Sequence, residues 1–209
     1  MLLKISSQLK TELRHNLNSS LVANIIIIGI VYFIFGLKNL DIITQAMIIE
    51  RFLPLMGIFT ISTLFYSEQK SPIKDILIMK KTRLETIYAI RFIIRLLIYT
   101  SISIIYISIL ETKIDFKDLI LINLHSISIG LIIGALGLLI FSFTNNISLA
   151  FLVSIGLILI QWFLPKDKSN ILLLLTMPKI SVNRIITILS LSLIFIVIGI
   201  KIWKRKKVY

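Results

Sequence analysis

The chain has no cysteine, two histidines and only 10 acidic residues. The lack of cysteine excludes disulfides, thiolate metal sites, cysteine-attached haem and a cysteine nucleophile. The two histidines, His15 and His125, are too few for a histidine-rich metal site. Charged residues are also scarce, at 16% of 209 positions, whereas 57% are apolar and the mean hydropathy is +0.97. Soluble domains carry about 25% charged and 45–50% apolar residues, so the sequence predicts an integral membrane protein built from helices.

Several catalytic and nucleotide-binding motifs are also missing. The sequence contains no GxxxxGK[ST], HExxH, GxSxG or kinase signature. We therefore expect no ATP, metal or other cofactor on this chain and no catalytic residue. Within the predicted bilayer the acidic residues are limited to Glu50. The chain of buried carboxylates that relays protons is missing, which argues against an ion-coupled carrier.

Apolar runs predict six transmembrane helices. A helical span needs about 20 apolar residues to cross a hydrocarbon core of roughly 30 Å. Residues 119–165 carry no charge; as one helix they would measure about 70 Å, so the polar break at 144–146 divides them into a hairpin. Glu50 and Arg51 interrupt the second run and leave its start open. The predicted spans, in a single domain covering 1–209, are 20–37, 45–66, 86–110, 119–143, 147–164 and 183–202.

The distribution of lysine and arginine predicts the orientation. The net charge is +13, and the basic residues concentrate before span 1, between spans 2 and 3 and after span 6. Cytoplasmic loops carry the excess of Lys and Arg, so both termini are expected in the cytoplasm. The orientation of the protein in the membrane thus accounts for the excess of basic residues, and we expect no nucleic-acid partner.

Two amphipathic segments flank these spans on the predicted cytoplasmic side. Residues 1–18 are predicted to form an amphipathic helix, because a leucine-rich stripe lies on the face opposite Lys4, Arg14 and His15. This helix is expected either to lie on anionic lipids at the membrane interface or to pack on its own bundle. Residues 71–81 read as a short helix, with Pro72 at its first position. This helix either transmits force from a soluble partner or is an ordinary basic cytoplasmic loop that happens to be helical. Its apolar face comprises Ile73, Ile76 and Leu77, and Lys80 and Lys81 lie near its C-terminal end.

Polar residues within the spans give three further predictions. A candidate outer gate, or else ordinary interfacial polarity, comprises Glu50, Arg51, Asn123, His125 and Gln161. Arg91 and Arg95 are expected to snorkel to the cytoplasmic surface, with a substrate contact as the alternative. Gly130 and Gly134 form a GxxxG that predicts close helix packing, within one protomer or between two.

The order of these elements resembles the permease subunit of the ABC type-2 exporters. An amphipathic helix precedes two spans, a capped cytoplasmic helix and a third span that opens with basic residues. An uncharged hairpin, a short apolar piece at 171–177 and a sixth span with a basic tail follow. The best local match is Glu68 followed by IKDILIMKKTRLETIYAIR.

The resemblance implies partners and roles. Residues 2–17 would be an elbow helix, 71–81 a coupling helix seated in an ATPase, and 166–182 an external re-entrant hairpin. Separate ABC ATPase subunits would hold ATP and Mg, and a second permease, identical or different, would complete a route for an amphipathic or lipophilic cargo out of a bacterial cell. Other readings are a non-transporting assembly or immunity subunit, or a membrane-embedded enzyme using Glu50 and His125. The implied ATPase-coupling residues are Glu68, Pro72, Ile73, Ile76, Leu77, Lys80 and Lys81.

Overall fold

The computed structural model describes residues 18–36, 40–69, 84–109, 114–163, 174–175 and 180–206. The predicted interfacial helix, apart from its last residue, the predicted coupling helix, and most of the 166–182 segment lie outside these ranges. Within the described ranges all of the regular secondary structure is helical. Its seven α-helices are α1 (Asn18–Phe35), α2 (Ile42–Ile61), α3 (Tyr66–Gln69), α4 (Leu84–Ile109), α5 (Phe116–Thr144), α6 (Ile147–Phe163) and α7 (Val182–Arg205).

Four of these helices, α2, α4, α5 and α7, are long and apolar enough to cross a membrane. Two further apolar segments, Ser19–Phe35 and Ile147–Phe163, are shorter. At 1.5 Å per residue a 17-residue helix extends about 26 Å, somewhat less than the roughly 30 Å of a hydrocarbon core. The described fold is therefore an all-α bundle with four candidate membrane spans.

Helix α2 differs in its bounds from the predicted second span. It begins at Ile42, because Asp41 caps it and accepts the Thr44 N–H at 3.4 Å, and it continues through Glu50 without a break. It ends at Ile61 rather than at 66. Hydroxyl side chains compete there for the backbone hydrogen-bonding groups that a helix would use, since Thr63 Oγ1 donates to the Phe59 carbonyl oxygen at 2.8 Å. The turn that follows leads into the short helix α3.

Helix α5 forms the centre of the bundle. Of its most apolar window, 72% is buried, against 33% for α4 and for α7. It packs most extensively on α2 and α7 and also on α6. It ends at Thr144, where Asn145 takes a left-handed conformation with φ 56°. The turn to α6 thus falls at the position of the predicted polar break.

Hydrogen bonds show that α1 and α2 run in opposite directions and that α5 and α7 end at the same end of the bundle. Asn24, near the start of α1, donates to Thr60, near the end of α2. Lys206, after α7, donates to the Phe143 carbonyl oxygen at the end of α5. We call the end of the bundle that contains these helix termini and Glu68 the Glu68 end. The opposite end, where α2 and α5 begin, is the Glu50 end.

Candidate functional site

The densest set of polar contacts in the described structure surrounds the carboxylate of Glu68. This residue lies in the four-residue helix α3 and is completely buried. Tyr88 Oη donates to Glu68 Oε2 at 2.6 Å, and Arg91 Nη1 donates to Oε1 at 2.6 Å. Trp203 Nε1 donates to Oε2 at 2.9 Å. We call Glu68, Tyr88, Arg91 and Trp203 the Glu68 cluster; it joins α3, α4 and α7.

Aromatic rings fix the position of the Trp203 donor. The ring of Trp203 stacks on Phe65 at 5.0 Å with an interplanar angle of 5°, and on Phe141 at 5.3 Å with 23°. Phe65 also meets the edge of Tyr88 at 5.1 Å. Offset stacked and edge-on pairs add to the stabilisation that comes from buried area alone. The rings therefore exclude water from the carboxylate and restrict the directions of its donors.

The burial of this carboxylate is compensated by charge and hydrogen bonding. A buried charge is tolerated when it is paired and its lone pairs are satisfied. The Arg91 guanidinium supplies the opposite charge, and its side chain is 12% exposed at the rim of the cluster. Two neutral donors, from Tyr88 and Trp203, satisfy the other oxygen. The exposed Lys204–Glu85 pair at 2.8 Å lies farther out and contributes little, as exposed pairs do.

The place of this cluster in the chain gives it functional interest. Glu68 and Gln69 end the described part of the chain before residues 70–83, and α4 begins directly after that segment. Glu68 and its partners on α4 therefore tie together the two flanks of the segment that contains the predicted coupling helix. Of the predicted coupling residues, Glu68 alone lies in the described ranges; Pro72, Ile73, Ile76, Leu77, Lys80 and Lys81 lie outside them.

Arg95 contradicts the expectation that the arginines of this helix snorkel. It is completely buried, one turn deeper along α4 than Arg91. Its Nη1 donates to the Thr60 carbonyl oxygen at 2.9 Å and to Thr63 Oγ1 at 2.6 Å. Cations are favourable at the C-terminal end of a helix because the last carbonyl groups point outward there. Arg95 thus stabilises the end of α2 instead of reaching the membrane surface.

The structure brings together two of the five residues of the candidate outer gate. His125 Nε2 lies 3.3 Å from Glu50 Oε1, and both side chains are at most 2% exposed. Arg51 stacks over the Trp162 ring at 5.9 Å from its centroid. The other two gate residues contact different partners. Asn123 Oδ1 accepts from Ser103 Oγ, and Gln161 Oε1 accepts from the backbone N–H of Leu174 at 2.8 Å.

The two glycines of the GxxxG pack inside this protomer. A Cβ atom on Gly134 would lie 2.9 Å from the carbonyl oxygen of Gly57 and 2.9 Å from Ile61 Cβ. A Cβ atom on Gly130 would overlap the Tyr99 hydroxyl and lie 3.1 Å from Pro54 Cα. These contacts press α5 against α2. The alternative in which these two glycines pack between protomers is not what the structure shows.

Sequence reasoning missed three residues that complete these contacts. Tyr88 and Trp203 resemble the aromatic residues that commonly mark the interfacial ends of spans, and nothing in their spacing indicates that they share one carboxylate. Gly57 lies in no GxxxG pattern, yet a Cβ atom on it would come within 2.8 Å of the Gly130 backbone. The order Leu-Met-Gly-Ile in an apolar run is too common to single it out.

Comparison with known proteins gives no assignment: no family model, no curated protein and no solved structure matches the chain. Within the described ranges there is also no group of three or more histidine or acidic residues that could hold a metal ion. The class of protein that the fold defines is an all-helical protein with four candidate membrane spans. Any more specific assignment of function depends on the Glu68 cluster and on the contact between Glu50 and His125.

Proposed function

We propose that the chain is the membrane-spanning permease subunit of an ATP-driven ABC exporter in the bacterial plasma membrane. In this proposal six helices span the bilayer, and both termini face the cytoplasm. Separate ATPase subunits bind ATP and Mg, and a second permease subunit, identical or different, pairs with this one. The cargo is amphipathic or lipophilic, such as an antimicrobial or toxin peptide, a drug or a lipid-like molecule.

The observation that carries this proposal is the placement of the Glu68 cluster at both flanks of residues 70–83. A segment that receives force from a soluble partner must be anchored to the spans that are to move. Glu68 lies just before the segment, and Tyr88 and Arg91 lie just after it. Their hydrogen bonds hold the two flanks together where a capped amphipathic helix is predicted between them.

The scarcity of charge inside the bundle supports the proposed class of cargo. The buried acidic and basic side chains of the described bundle are engaged in specific contacts: Glu68 with Arg91, Glu50 with His125, and Arg95 with the end of α2. The faces of α1 and α4 that point away from the core are apolar; Phe33 is 90% exposed and Leu97 60%. Such surfaces favour lipid and apolar solutes over a bulky polysaccharide.

The experiment is a charge reversal in the predicted coupling helix. The double change Lys80→Glu with Lys81→Glu, or the change Ile76→Asp, should uncouple ATP hydrolysis by the partner from export while the subunit remains folded. Lys117→Glu is the control, because Lys117 is an exposed lysine at the Glu50 end. If the coupling-helix variants export with unchanged coupling, the proposal that this helix transmits force is wrong.

A second candidate function, a membrane-embedded enzyme, has one observation in its favour. Glu50 and His125 form a buried carboxylate–imidazole contact of 3.3 Å, and such pairs serve as general bases in catalysis. The described residues bring no third ionisable group to this contact that would form a metal site. Co-purification of an ATPase in stoichiometric amount would favour the exporter. A chain purified alone would favour the enzyme or a non-transporting assembly or immunity subunit.

A further inference from the structure

The end of α7 carries four cations that divide into two pairs with different surroundings. Lys204 and Lys206 bind the protein itself: Lys204 Nζ donates to Glu85 Oε1 at 2.8 Å, and Lys206 Nζ donates to a carbonyl oxygen at the end of α5 at 2.7 Å. Lys201 and Arg205 are exposed. Within the described ranges neither of these two side chains forms an ion pair or a hydrogen bond. Two of the four cations therefore point away from the bundle.

Lys201 and Arg205 continue the exposed apolar face of α7. Positions 197, 201 and 205 follow at four-residue intervals, so they lie on one face of the helix. Ile194, Val197 and Ile198 on that face are exposed, whereas the opposite face packs on α5. We call these three residues the α7 stripe. In a bilayer the stripe contacts acyl chains, and the two cations stand where it ends, at the Glu68 end.

The surroundings of these two cations favour an anion from outside the chain. Like charges one helical turn apart repel each other, and Lys201 and Arg205 are so spaced. The two acidic residues that the structure describes at this end, Glu68 and Glu85, are paired with other cations. Long basic side chains next to lipid extend along the apolar surface and place their charge at the level of the headgroups. The anion at that level is a lipid phosphate.

We propose that Lys201 and Arg205 bind the phosphate of an anionic phospholipid whose acyl chains lie on the α7 stripe. The guanidinium of Arg205 can donate two parallel hydrogen bonds to a phosphate, and Lys201 adds a compact charge one turn away. A zwitterionic lipid binds less tightly, because its own cation offsets the phosphate charge. The proposal requires that the chain spans a bilayer, and it does not depend on an ATPase partner or on transport.

The test uses the full chain in lipid vesicles and a label next to the site. Because the chain has no cysteine, Ile198→Cys provides a single thiol for a fluorophore, one turn from Lys201. The vesicles are phosphatidylcholine in which a fixed fraction of the lipid carries a nitroxide on an acyl chain. This fraction has either a phosphatidylglycerol or a phosphatidylcholine headgroup. Nitroxides quench nearby fluorophores, so the two quenching levels give the relative affinity of the two headgroups at this face.

Three variants identify the residues that produce the preference for the anionic lipid. The double change Lys201→Gln with Arg205→Gln removes both proposed ligands. The exchange Lys201→Arg with Arg205→Lys keeps both charges at the same positions. Lys204→Gln is the matched control, because it removes a charge from the same helix end, but from a side chain that pairs with Glu85.

We expect phosphatidylglycerol to quench the labelled protein more strongly than phosphatidylcholine does. The preference should fall by about fivefold for each cation removed, and it should persist in the exchanged variant and in Lys204→Gln. It should also weaken at high salt, since the attraction is electrostatic. An equal preference in the double glutamine variant would overturn the proposal. So would quenching that does not differ between the two headgroups in the unmutated background.

Inorganic phosphate distinguishes a lipid from a soluble anion as the source of the bound phosphate. The lipid assignment predicts that phosphate and chloride, at equal ionic strength, leave the preference for phosphatidylglycerol the same. The acyl chains on the α7 stripe supply part of the binding, and free phosphate lacks them. Specific loss of the preference in phosphate would indicate a site for a free anion and would overturn the assignment to a lipid.

Discussion

Replacement of Gly57 by alanine is expected to destabilise the protein, because the added methyl group has no space. Its Cβ atom would lie 2.8 Å from the C, Cα and O atoms of Gly130, and backbone atoms cannot move aside as a flexible side chain can. Overpacking of a filled core costs about 1–3 kcal/mol. The better helix propensity of alanine returns up to about 1 kcal/mol, so the net loss is expected at about 1–2 kcal/mol.

The chain supplies a matched control for this change. Gly29 in α1 and Gly156 in α6 also lie inside helices, and a Cβ atom on either would have no neighbour within 4 Å. Gly29→Ala and Gly156→Ala are therefore expected to keep only the gain in helix propensity. The same chemical change should lower stability at one site and leave it equal or higher at the other two.

The assay is the apparent melting temperature of the purified protein in one detergent at one scan rate. For a chain of this length, 1 kcal/mol corresponds to about 2–4 °C, so Gly57→Ala should melt about 2–8 °C below the wild type. Gly29→Ala should melt at or above the wild type. If Gly57→Ala melts with the wild type, the close packing of α2 on α5 is not as described.

Three further predictions concern other parts of the chain. Glu50→Ala should lower stability by roughly 1–3 kcal/mol in a detergent melt, because the buried His125 Nε2 loses this partner; a melting temperature equal to that of the wild type would contradict this contact. Hydrogen bonding from Thr44 lowers the pKa of Asp41 below its usual range, so this helix cap should contribute stability above about pH 4 and lose it as the pH falls further. Asp41→Asn should therefore remove that acid-dependent difference, and identical pH profiles would refute it. Tyr88→Phe should lower the melting temperature less than Glu68→Ala does, because one donor is removed instead of the common acceptor; the reverse order would contradict the cluster.

Much of the helical arrangement was predictable from the sequence, since length and hydropathy decide it. The uncharged run 119–165, which covers most of α5 and all of α6, is too long for one span, and its polar break at Asn145 marks the turn. The bounds of α2 were less predictable. Its start depends on the cap formed by Asp41, and its end depends on Thr63 and on Arg95, a residue that reaches it from α4. Contacts between helices override the local pattern there.

The Glu68 cluster could be predicted only in part. A role for Glu68 was predicted only from the resemblance of residues 68–91 to an exporter segment, and composition alone gives no reason to bury it. Its burial follows from donors 20, 23 and 135 positions away. A periodic pattern reports which face of a helix is apolar, and it does not report which faces meet. The residues of the candidate outer gate were predicted to form one site because they lie at a similar depth in the predicted spans. The structure pairs Glu50 with His125 and gives Gln161 a different partner.

The most direct test of the proposed function is to isolate the tagged protein from its native host in a mild detergent and identify what accompanies it by mass spectrometry. The account predicts a soluble ATPase in stoichiometric amount. A second membrane subunit, if present, would distinguish a mixed pair of permeases from a pair of identical ones. A protein that emerges alone, under conditions that keep known ABC complexes intact, would contradict the account.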